Sequence, residues 1–320
     1  MANLFYFPKI LNGMSIKEAK NIYGINNLEL LANQVVEGFI TGMHKSPFHG
    51  FSVEFAEHRL YNKGESTRHI DWKLFAKTEK LFVKRYEEET NLRCHLIIDN
   101  SASMYYPQLA NPSVTNLNKI GFSAIASAAL IEILKRQRDA YGLSIYADTN
   151  EYFAPAKGGE RHRRMLLTHL EGLLSQSSGK KTNTYDALHE IADKVHRRSL
   201  LFFFTDMFQS DIENEKLFEA LRHLKYNKHE VVLFHTYDAK HELKFDFDDK
   251  PKKFIDVETN EHVNLYASTV KENYEKEVAT YFNTLKMRCM QYKIDYVPVN
   301  INDGFEQILT SYLISRKRFL

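Results

Sequence analysis

Cysteine is scarce in this chain of 320 residues, which has only Cys94 and Cys289 and no CxxC pair. Two isolated cysteines argue against a disulfide framework and against a cysteine-based zinc site, and they favour a reducing compartment. An excess of charge of either sign is also missing, because 43 basic residues stand against 41 acidic ones, for a net charge of +2. A balanced chain has no overall field that attracts nucleic acid or an anionic membrane, so we expect neither as a partner.

Membrane-spanning and export segments are missing as well. The longest apolar run, Ile120 to Ile131, holds two serines and is closed by charged residues, so it is too short for a bilayer. The N-terminus lacks the basic region of a signal peptide. The sequence has no internal repeat and no linker rich in proline or glycine. We therefore predict a soluble, cytoplasmic protein without membrane insertion.

What is present, from about residue 92 onward, is an alternation of strand-like and helix-like segments, which is typical of a doubly wound sheet. The predicted strands cover 92–98, 141–146, 200–205, 230–236 and 294–297, and a hairpin covers 253–257 and 262–265. The predicted helices cover 118–137, 161–174, 185–196, 214–225, 268–292 and 304–316. The fold class is thus α/β, with a Rossmann-like, mostly parallel sheet.

Residues 1–91 have a different pattern. Residues 16–39 are mostly helical by their spacing, whereas 42–86 mix polar turns with aromatic, strand-prone pieces at 51–55 and 81–86. We therefore predict two regions. An N-terminal α+β extension covers 1–91, and it packs on a sheet domain that covers 92–320.

Three loops carry oxygen-bearing side chains suited to a metal ion. The strand over 92–98 leads into Asp99, Ser101 and Ser103, whose alternation directs them toward one point. Thr182 precedes a predicted helix, and Asp206 follows an intensely apolar strand. Ligands of open α/β sheets collect at the carboxyl ends of strands, and hard oxygen donors suit a divalent cation. We predict magnesium, with manganese or calcium as alternatives.

The combination of these loops resembles the metal-ion-dependent adhesion site of von Willebrand factor A-type domains. Upstream, a segment resembles the signature of the bacterial "domain of unknown function 58" proteins: Tyr61-Asn-Lys-Gly64-Glu65-Ser-Thr-Arg68-His-Ile70-Asp71-Trp72-Lys73-Leu-Phe-Ala76-Lys-Thr78. The segment Phe254-Ile-Asp256-Val-Glu258-Thr259 resembles a later motif of the same family. The likeness extends from about residue 15 to the end of the chain. Glu65 departs from the family pattern, which more often has Asp there.

The resemblance implies a von Willebrand factor A-type domain with a metal bound by Ser101, Ser103 and Thr182. It implies that Asp99 and Asp206 act largely through bound waters. Neutral hydroxyl ligands leave the ion's charge poorly compensated, so an open coordination position would attract an Asp or Glu of a protein partner. The family is also associated with MoxR-type AAA+ ATPases. The resemblance therefore implies such a partner and a role in assembly or maturation of other proteins.

Motifs of common hydrolases and nucleotide-binding proteins are missing, namely GxxxxGK(S/T), HExxH and GxSxG. A haloacid-dehalogenase-like phosphatase would need an Asp two residues after its nucleophile, where this chain has Ser101. The sequence places no evident general base beside the motif. We therefore predict a non-enzymatic module. A metal-dependent, phosphatase-like hydrolase and a scaffold with an empty metal site remain as alternatives.

Several residues have a purely structural explanation. Asp and Ser at a strand end are often turn formers and helix caps. Asp186, in the first turn of a predicted helix, suits the helix dipole. Arg68, Asp71 and Trp72 are interpreted as an ion pair and an aromatic anchor between lobes. The basic cluster at 161–164 is interpreted as a solvated helix face, with the acidic surface of a partner as the alternative.

Overall fold

The computed structural model describes residues 25–44, 58–60, 72–84, 92–109, 116–147, 149–175, 184–207, 211–255 and 262–319. The helices of these ranges are α1 (Ile25–His44), α2 (Trp72–Thr78), α3 (Lys119–Arg136), α4 (Glu160–Ser175), α5 (Thr184–Lys194), α6 (Asp211–Tyr226), α7 (Ala267–Gln291) and α8 (Glu306–Phe319). The strands are β1 (His58–Leu60), β2 (Phe82–Lys84), β3 (Arg93–Asp99), β4 (Ala140–Tyr146), β5 (Asn150–Lys157), β6 (Leu200–Thr205), β7 (Glu230–Tyr237), β8 (Pro251–Ile255), β9 (His262–Tyr266) and β10 (Asp295–Asn300). Two short turns complete the set, a 3₁₀ turn (Ala102–Tyr105) and a π turn (Ala239–Leu243).

A six-stranded sheet forms the centre of the fold, in the order β10-β7-β6-β3-β4-β5. Its strands are parallel except for β5, which pairs antiparallel with β4. Counted from β3 as the first strand, the order is 3-2-1-4-5-6, the arrangement of doubly wound nucleotide-binding folds. The predicted α/β class with a mostly parallel sheet is therefore confirmed.

Helices cover both faces of this sheet because its strands are apolar on both sides. Along β3, Leu96 and Ile98 belong to one hydrophobic cluster, and Ile97 between them belongs to another. The helical members of the first cluster come from α1, α3, α4 and α8, and those of the second come from α5, α6 and α7. The alternation along β3 thus produces a three-layer domain with a core on each side of the sheet.

The strand order places a crevice at one edge of the sheet. The chain leaves β3 through α3 and returns in β4, on one side of β3, whereas it leaves β6 through α6 and returns in β7, on the opposite side. Connections that diverge in this way open a cleft beyond the carboxyl ends of the two strands, and ligands of such folds bind there. Asp99 ends β3 and Asp206 directly follows β6, so both lie at this switch point.

Helix α3 carries the longest apolar run of the sequence, and it is a core helix, as predicted. Its residues from Lys119 to Leu134 are all buried. The side chain of Asn118 caps its start by accepting a hydrogen bond from the Gly121 amide at 2.9 Å. Within the described ranges, no helix combines the length and the apolarity needed to cross a bilayer.

Strand β5 is absent from the sequence-based prediction. Its burial alternates irregularly and most of its side chains are partly or fully exposed, so it lacks the apolar run of a central strand. It also contains Pro155, which normally argues against a strand. The position of β5 at the edge of the sheet explains both features, because an edge strand has one unpaired side and one exposed face. The hairpin of β8 and β9 pairs antiparallel, as predicted, and its tip lies outside the described residues.

The N-terminal extension predicted over 1–91 does not form one unit. Contacts divide the chain into a unit of residues 1–40 and 92–320 and a second unit of residues 41–91. Helix α1 belongs mainly to the sheet unit because Leu28, Leu31 and Val36 are buried in its core. The sequence pattern of α1 predicted a helix but not the surface that it covers.

The second unit contains an antiparallel pair of β1 and β2 and the short helix α2. Within α2, the Trp72 ring meets Phe75 edge to face, with centroids 6.1 Å apart. Arg68 and Asp71 lie outside the described residues, so the ion pair of this motif stays a prediction. The strand-prone piece at 51–55 also lies outside them.

His229, in the turn between α6 and β7, is a buried histidine that the fold holds neutral. The Ser199 amide donates to His229 Nδ1 at 3.2 Å, so this nitrogen is an unprotonated acceptor. Burial lowers the pKa of His229 to about 4. In the unfolded chain histidine titrates near pH 6.5, so below that pH the unfolded state binds a proton that the native state refuses. The stability contributed by His229 is therefore complete above about pH 6.5 and is lost as the pH falls toward 4.

We expect His229 to lower the free energy of unfolding by about 1–2 kcal/mol between pH 7 and pH 5. Urea titrations at the two pH values measure this change. In His229→Asn, the amide oxygen can replace the Nδ1 acceptor but does not titrate, so the variant should have a shallower pH dependence. An equal dependence in both proteins would contradict the assignment.

Candidate metal centre

Asp99 is fixed at the centre of the cleft by hydrogen bonds to both of its carboxylate oxygens. Oδ1 accepts from the Ser101 amide at 2.9 Å, and Oδ2 accepts from the Thr205 hydroxyl at 2.8 Å. The second bond joins the ends of β3 and β6 directly. Sequence reasoning missed Thr205, although its signal was a hydroxyl next to Asp206 at the end of an apolar strand. The carboxylate of Asp99 is thus buried and oriented before any ligand arrives.

The hydroxyls of Ser101 and Ser103 lie on the same side of the first loop. A 3₁₀ turn follows Ser101, and the Met104 amide donates to the Ser101 carbonyl at 3.2 Å. This tight turn brings the two serine Oγ atoms within 3.0 Å of each other. In an octahedral magnesium shell with bonds of about 2.1 Å, neighbouring ligands lie about 3 Å apart. The two hydroxyls therefore have the spacing of adjacent ligands of one ion.

Asp206 brings a second carboxylate to the cleft from the end of β6. Its side chain is only 2% exposed, and that of Asp99 is 1% exposed. Burial, together with the nearby negative charge of Asp206, raises the pKa of Asp99 to about 6. Two carboxylates in one poorly solvated space repel each other, and a bound cation relieves that repulsion.

A buried lysine also contacts the Asp206 carboxylate, and the sequence motif does not include it. Lys119 is the first residue of α3, and its Nζ lies 2.7 Å from Asp206 Oδ2 and 2.5 Å from Glu242 Oε1. Burial opposes the charged form of Lys119, but Asp206 and Glu242 outweigh it and raise its pKa above the usual value. A signal existed in the sequence, because a lysine in the first turn of a helix opposes the helix dipole and needs another reason to be there.

Glu242 is held in place by the π turn that follows β7. Its Oε2 accepts from the Asp238 amide at 2.7 Å, and its main-chain carbonyl accepts from the Tyr274 hydroxyl at 2.9 Å. The sequence analysis did not single out Glu242, because nothing local connects residue 242 with the motif around Asp99.

The loop after β3 is fastened to its neighbours through Asn100. The Asn100 amide donates to the Tyr146 carbonyl at 2.7 Å, and its side chain donates to Glu151 at 2.8 Å. Its side-chain oxygen accepts from the Tyr105 hydroxyl at 2.8 Å. These bonds connect the loop to β4 and β5, so the serine hydroxyls stand on a rigid support.

Thr182 lies outside the described residues, so its placement beside the other four predicted ligands stays a prediction. Helix α5 begins at Thr184, two residues later, and Asp186 lies in its first turn as expected. Asp99 contacts Ser101, Ser101 contacts Ser103, and Asp206 lies close enough to Asp99 to raise its pKa. Four of the five predicted ligands are therefore neighbours.

The donor set fits a hard divalent cation. Among the described residues, no three His, Cys, Asp or Glu side chains are arranged to hold a metal. Serine hydroxyls beside two buried carboxylates are oxygen donors of the kind that magnesium accepts, and they leave room for waters. Asp99 is poorly placed as a nucleophile, because both of its oxygens are engaged in hydrogen bonds. The arrangement favours ion binding over covalent catalysis.

Comparison with known proteins gives one family and several distant relatives. A family model described as "Protein of unknown function DUF58" matches residues 57–282, more than half of the chain. The uncharacterized proteins Rv1480 of Mycobacterium tuberculosis and Mb1516 of Mycobacterium bovis are each 24% identical over 199 residues, which is 62% of this chain. The aligned region spans 61% of the length of those relatives.

Two solved structures resemble the fold. The conserved hypothetical protein BatB from Bacteroides thetaiotaomicron aligns with a TM-score of 0.41 and 16% identity, over 71% of this chain and 98% of that protein. The SpRpn10 VWA domain aligns with a TM-score of 0.36 and 10% identity, over 69% of this chain and 95% of that domain. The α/β assignment follows from the strand order and does not depend on these alignments.

Proposed function

This chain belongs to the DUF58 family of proteins of unknown function, and from that premise we propose that it is a metal-dependent, non-enzymatic protein-binding module. Ser101, Ser103 and Thr182 bind a magnesium ion directly, and Asp99 and Asp206 hold it through waters. The ion keeps an open coordination position that takes an Asp or Glu of a partner protein. Manganese or calcium can replace magnesium because the ligands are hard oxygens.

The convergence of two chain segments at the switch point carries this proposal. The motif after β3 and Asp206 after β6 are about a hundred residues apart in sequence, yet Thr205 donates to Asp99 at 2.8 Å. The serine hydroxyls beside them have the 3.0 Å spacing of adjacent ligands. A cation there would relieve the repulsion between the buried Asp99 and Asp206 carboxylates, of which Lys119 contacts only Asp206.

A binding role agrees better with these ligands than hydrolysis does. Neutral hydroxyls donate little charge to the ion, so its remaining positive charge attracts an anionic group from outside. A phosphatase-like reaction would also attract an anion, but it needs a nucleophile or a base positioned against the substrate. The Asp99 carboxylate, which would be the nucleophile of such an enzyme, has both oxygens occupied by the Ser101 amide and the Thr205 hydroxyl.

We propose a MoxR-type AAA+ ATPase as the partner, and assembly or maturation of other proteins as the process served. The resemblance of residues 61–78 to the family signature supports this partner. The carboxylate that completes the metal shell would come from the ATPase or from the protein on which the pair acts. A scaffold with an empty metal site is the remaining alternative.

The partnership is tested with the purified chain and a purified MoxR-type ATPase from the same organism. We expect the ATPase to be retained on the immobilised chain with magnesium and to be released by a chelator. In Asp206→Asn, retention should fall, because the variant keeps the shape of the side chain but loses its charge. If the ATPase is retained equally with and without the chelator, and equally by wild type and Asp206→Asn, the metal does not mediate the contact.

The hydrolase alternative needs a separate measurement. Magnesium-dependent hydrolysis of a phosphate monoester by the purified chain, lost in Asp99→Asn, would overturn the non-enzymatic proposal. We expect no turnover above background in either protein.

A further inference from the structure

Lys119 adds a fixed positive charge to the candidate metal centre. Its side chain is 1% exposed, and its Nζ contacts Asp206 Oδ2 at 2.7 Å and Glu242 Oε1 at 2.5 Å. This inference rests on the metal centre of the proposed function. We propose that Lys119, which Glu242 holds in place, makes that centre prefer divalent over trivalent cations. Lys119 is a positioning residue, because it acts through Asp206 and does not bind the ion.

Lys119 is restrained both at its main chain and at its ammonium group. The Lys119 amide donates to the Tyr106 carbonyl at 3.1 Å, next to the capped start of α3. Its Nζ lies 5.8 Å from the centre of the Tyr106 ring, in addition to its two carboxylate contacts. A buried charge with these partners does not withdraw to solvent when a cation approaches, because its own desolvation is already compensated. The positive charge of Lys119 therefore stays beside the site.

The charge preference follows from Coulomb's law. A cation that interacts with Asp206 shares this carboxylate with the ammonium, so the two positive charges lie within a few ångströms of each other in a poorly solvated space. Their repulsion grows in proportion to the charge of the ion, so a trivalent ion loses about one and a half times the free energy that a divalent ion loses. The negative charge of Glu242 partly offsets that of the ammonium, so Glu242 raises the affinity of the site for a cation, and more so for a trivalent one.

A purely structural ion pair would behave differently. Removing it would destabilise the fold but would change the affinities of ions of different charge by similar factors. Calcium and terbium are suited to separating the two explanations, because they have similar radii and both take oxygen ligands, so that mainly their charges differ. The ratio of their affinities reports the charge of the site, whereas a stability measurement does not.

The experiment uses the full chain and measures terbium luminescence, with calcium as competitor. In Lys119→Met, a rise of about 10-fold in calcium affinity should accompany a rise of about 30-fold for terbium, so the ratio shifts about 3-fold toward terbium. In Glu242→Gln the affinities for calcium and for terbium should both fall, and the affinity for terbium should fall by the larger factor. Arg163→Met removes another buried cation, far from Lys119 in the sequence. The ratio of terbium to calcium affinity in this variant should equal that of the wild type. Ser101→Ala gives the background of unspecific terbium binding.

The outcomes separate this inference from the proposed function. Wild-type binding no stronger than that of Ser101→Ala would overturn the metal centre itself, and the role of Lys119 with it. Specific binding with the same ratio in Lys119→Met, Glu242→Gln and Arg163→Met would overturn the role of Lys119 and leave the metal centre intact. If Lys119→Met fails to fold, the ratio in Lys119→Gln decides, because this variant also removes the ammonium charge but keeps a polar group next to Asp206 and Glu242.

Discussion

Ser101→Ala is expected to weaken magnesium binding at least about 100-fold without unfolding the protein. Loss of groups that only orient metal ligands already costs about 10- to 100-fold in affinity, and Ser101 is proposed to bind the ion itself. The substitution removes one oxygen and leaves the Ser101 amide free to donate to Asp99, because that bond belongs to the main chain. Isothermal titration with magnesium and manganese measures the loss, and the thermal unfolding midpoint without metal should stay close to that of the wild type.

Ser127→Ala is the matched control. Ser127 is a buried serine of α3, and its hydroxyl has no hydrogen-bond partner among the described residues. Its removal should leave metal affinity unchanged and should not lower stability, because a buried hydroxyl without a partner is unfavourable. Equal magnesium affinity in wild type, Ser101→Ala and Ser127→Ala would contradict the metal centre and favour the scaffold alternative.

Asp99→Asn is less suited to this test than Ser101→Ala. Asp99 accepts from a main-chain amide and from the Thr205 hydroxyl, so a change there alters the hydrogen bonds between β3 and β6 as well as the charge. A loss of binding in such a variant has two explanations. The hydroxyl of Ser101 has a narrower role, since its contacts to Ser103 at 3.0 Å and to the Asp99 carboxylate both lie within the loop that follows β3.

The parts of the site that the sequence predicted are those that lie close together along the chain or at the end of an apolar strand. Asp99 and Ser101 stand two residues apart after β3, and Asp206 follows the fully buried β6. Such strands can be recognised from composition, and parallel strands share one carboxyl edge. These two rules were sufficient to place the motif and Asp206 at the same edge of the sheet.

Lys119 and Glu242 could not be predicted in the same way. Lys119 starts a helix and Glu242 lies in a π turn, and 123 residues separate them, so no local pattern connects them. Their contact arises from the packing of α3 against the end of β7. A lysine or glutamate is normally assigned to the surface from sequence, because burying its charge is unfavourable unless a partner compensates it. Only the three-dimensional structure shows those partners.

The basic cluster at 161–164 shows the same difficulty, and its interpretation as a solvated face is wrong for Arg163. Arg163 is 3% exposed, whereas its neighbour Arg164 is 74% exposed. A period of 3.6 residues per turn points adjacent side chains in different directions, so one residue of a basic run can be buried while the next is in water. Charge alone does not show which one is buried.

Arg163→Met is expected to lower the free energy of unfolding by about 3 kcal/mol, since it removes the most buried cation of a charge cluster and leaves Glu132 with only its longer contacts to Arg136 and Lys135, at 3.6 and 3.9 Å. The guanidinium joins three helices. It contacts Glu29 of α1 at 2.5 Å, Glu132 of α3 at 3.5 Å and Glu160 of its own helix at 2.5 Å. Glu132 is only 8% exposed, so its charge has little access to water once Arg163 is removed. Urea unfolding at neutral pH measures the change.

Arg164→Met is the control, because it removes the same charge one position further along α4. Arg164 contacts Glu160 at 3.2 Å but is largely in water, so its loss should change stability by less than about 1 kcal/mol. A difference of at least about 2 kcal/mol between the two variants would show that Arg163 connects α1 to the sheet unit through charge. Equal effects would instead mean that α1 is held by its apolar side, where Leu28 and Val36 are fully buried, and that Glu132 tolerates burial without Arg163.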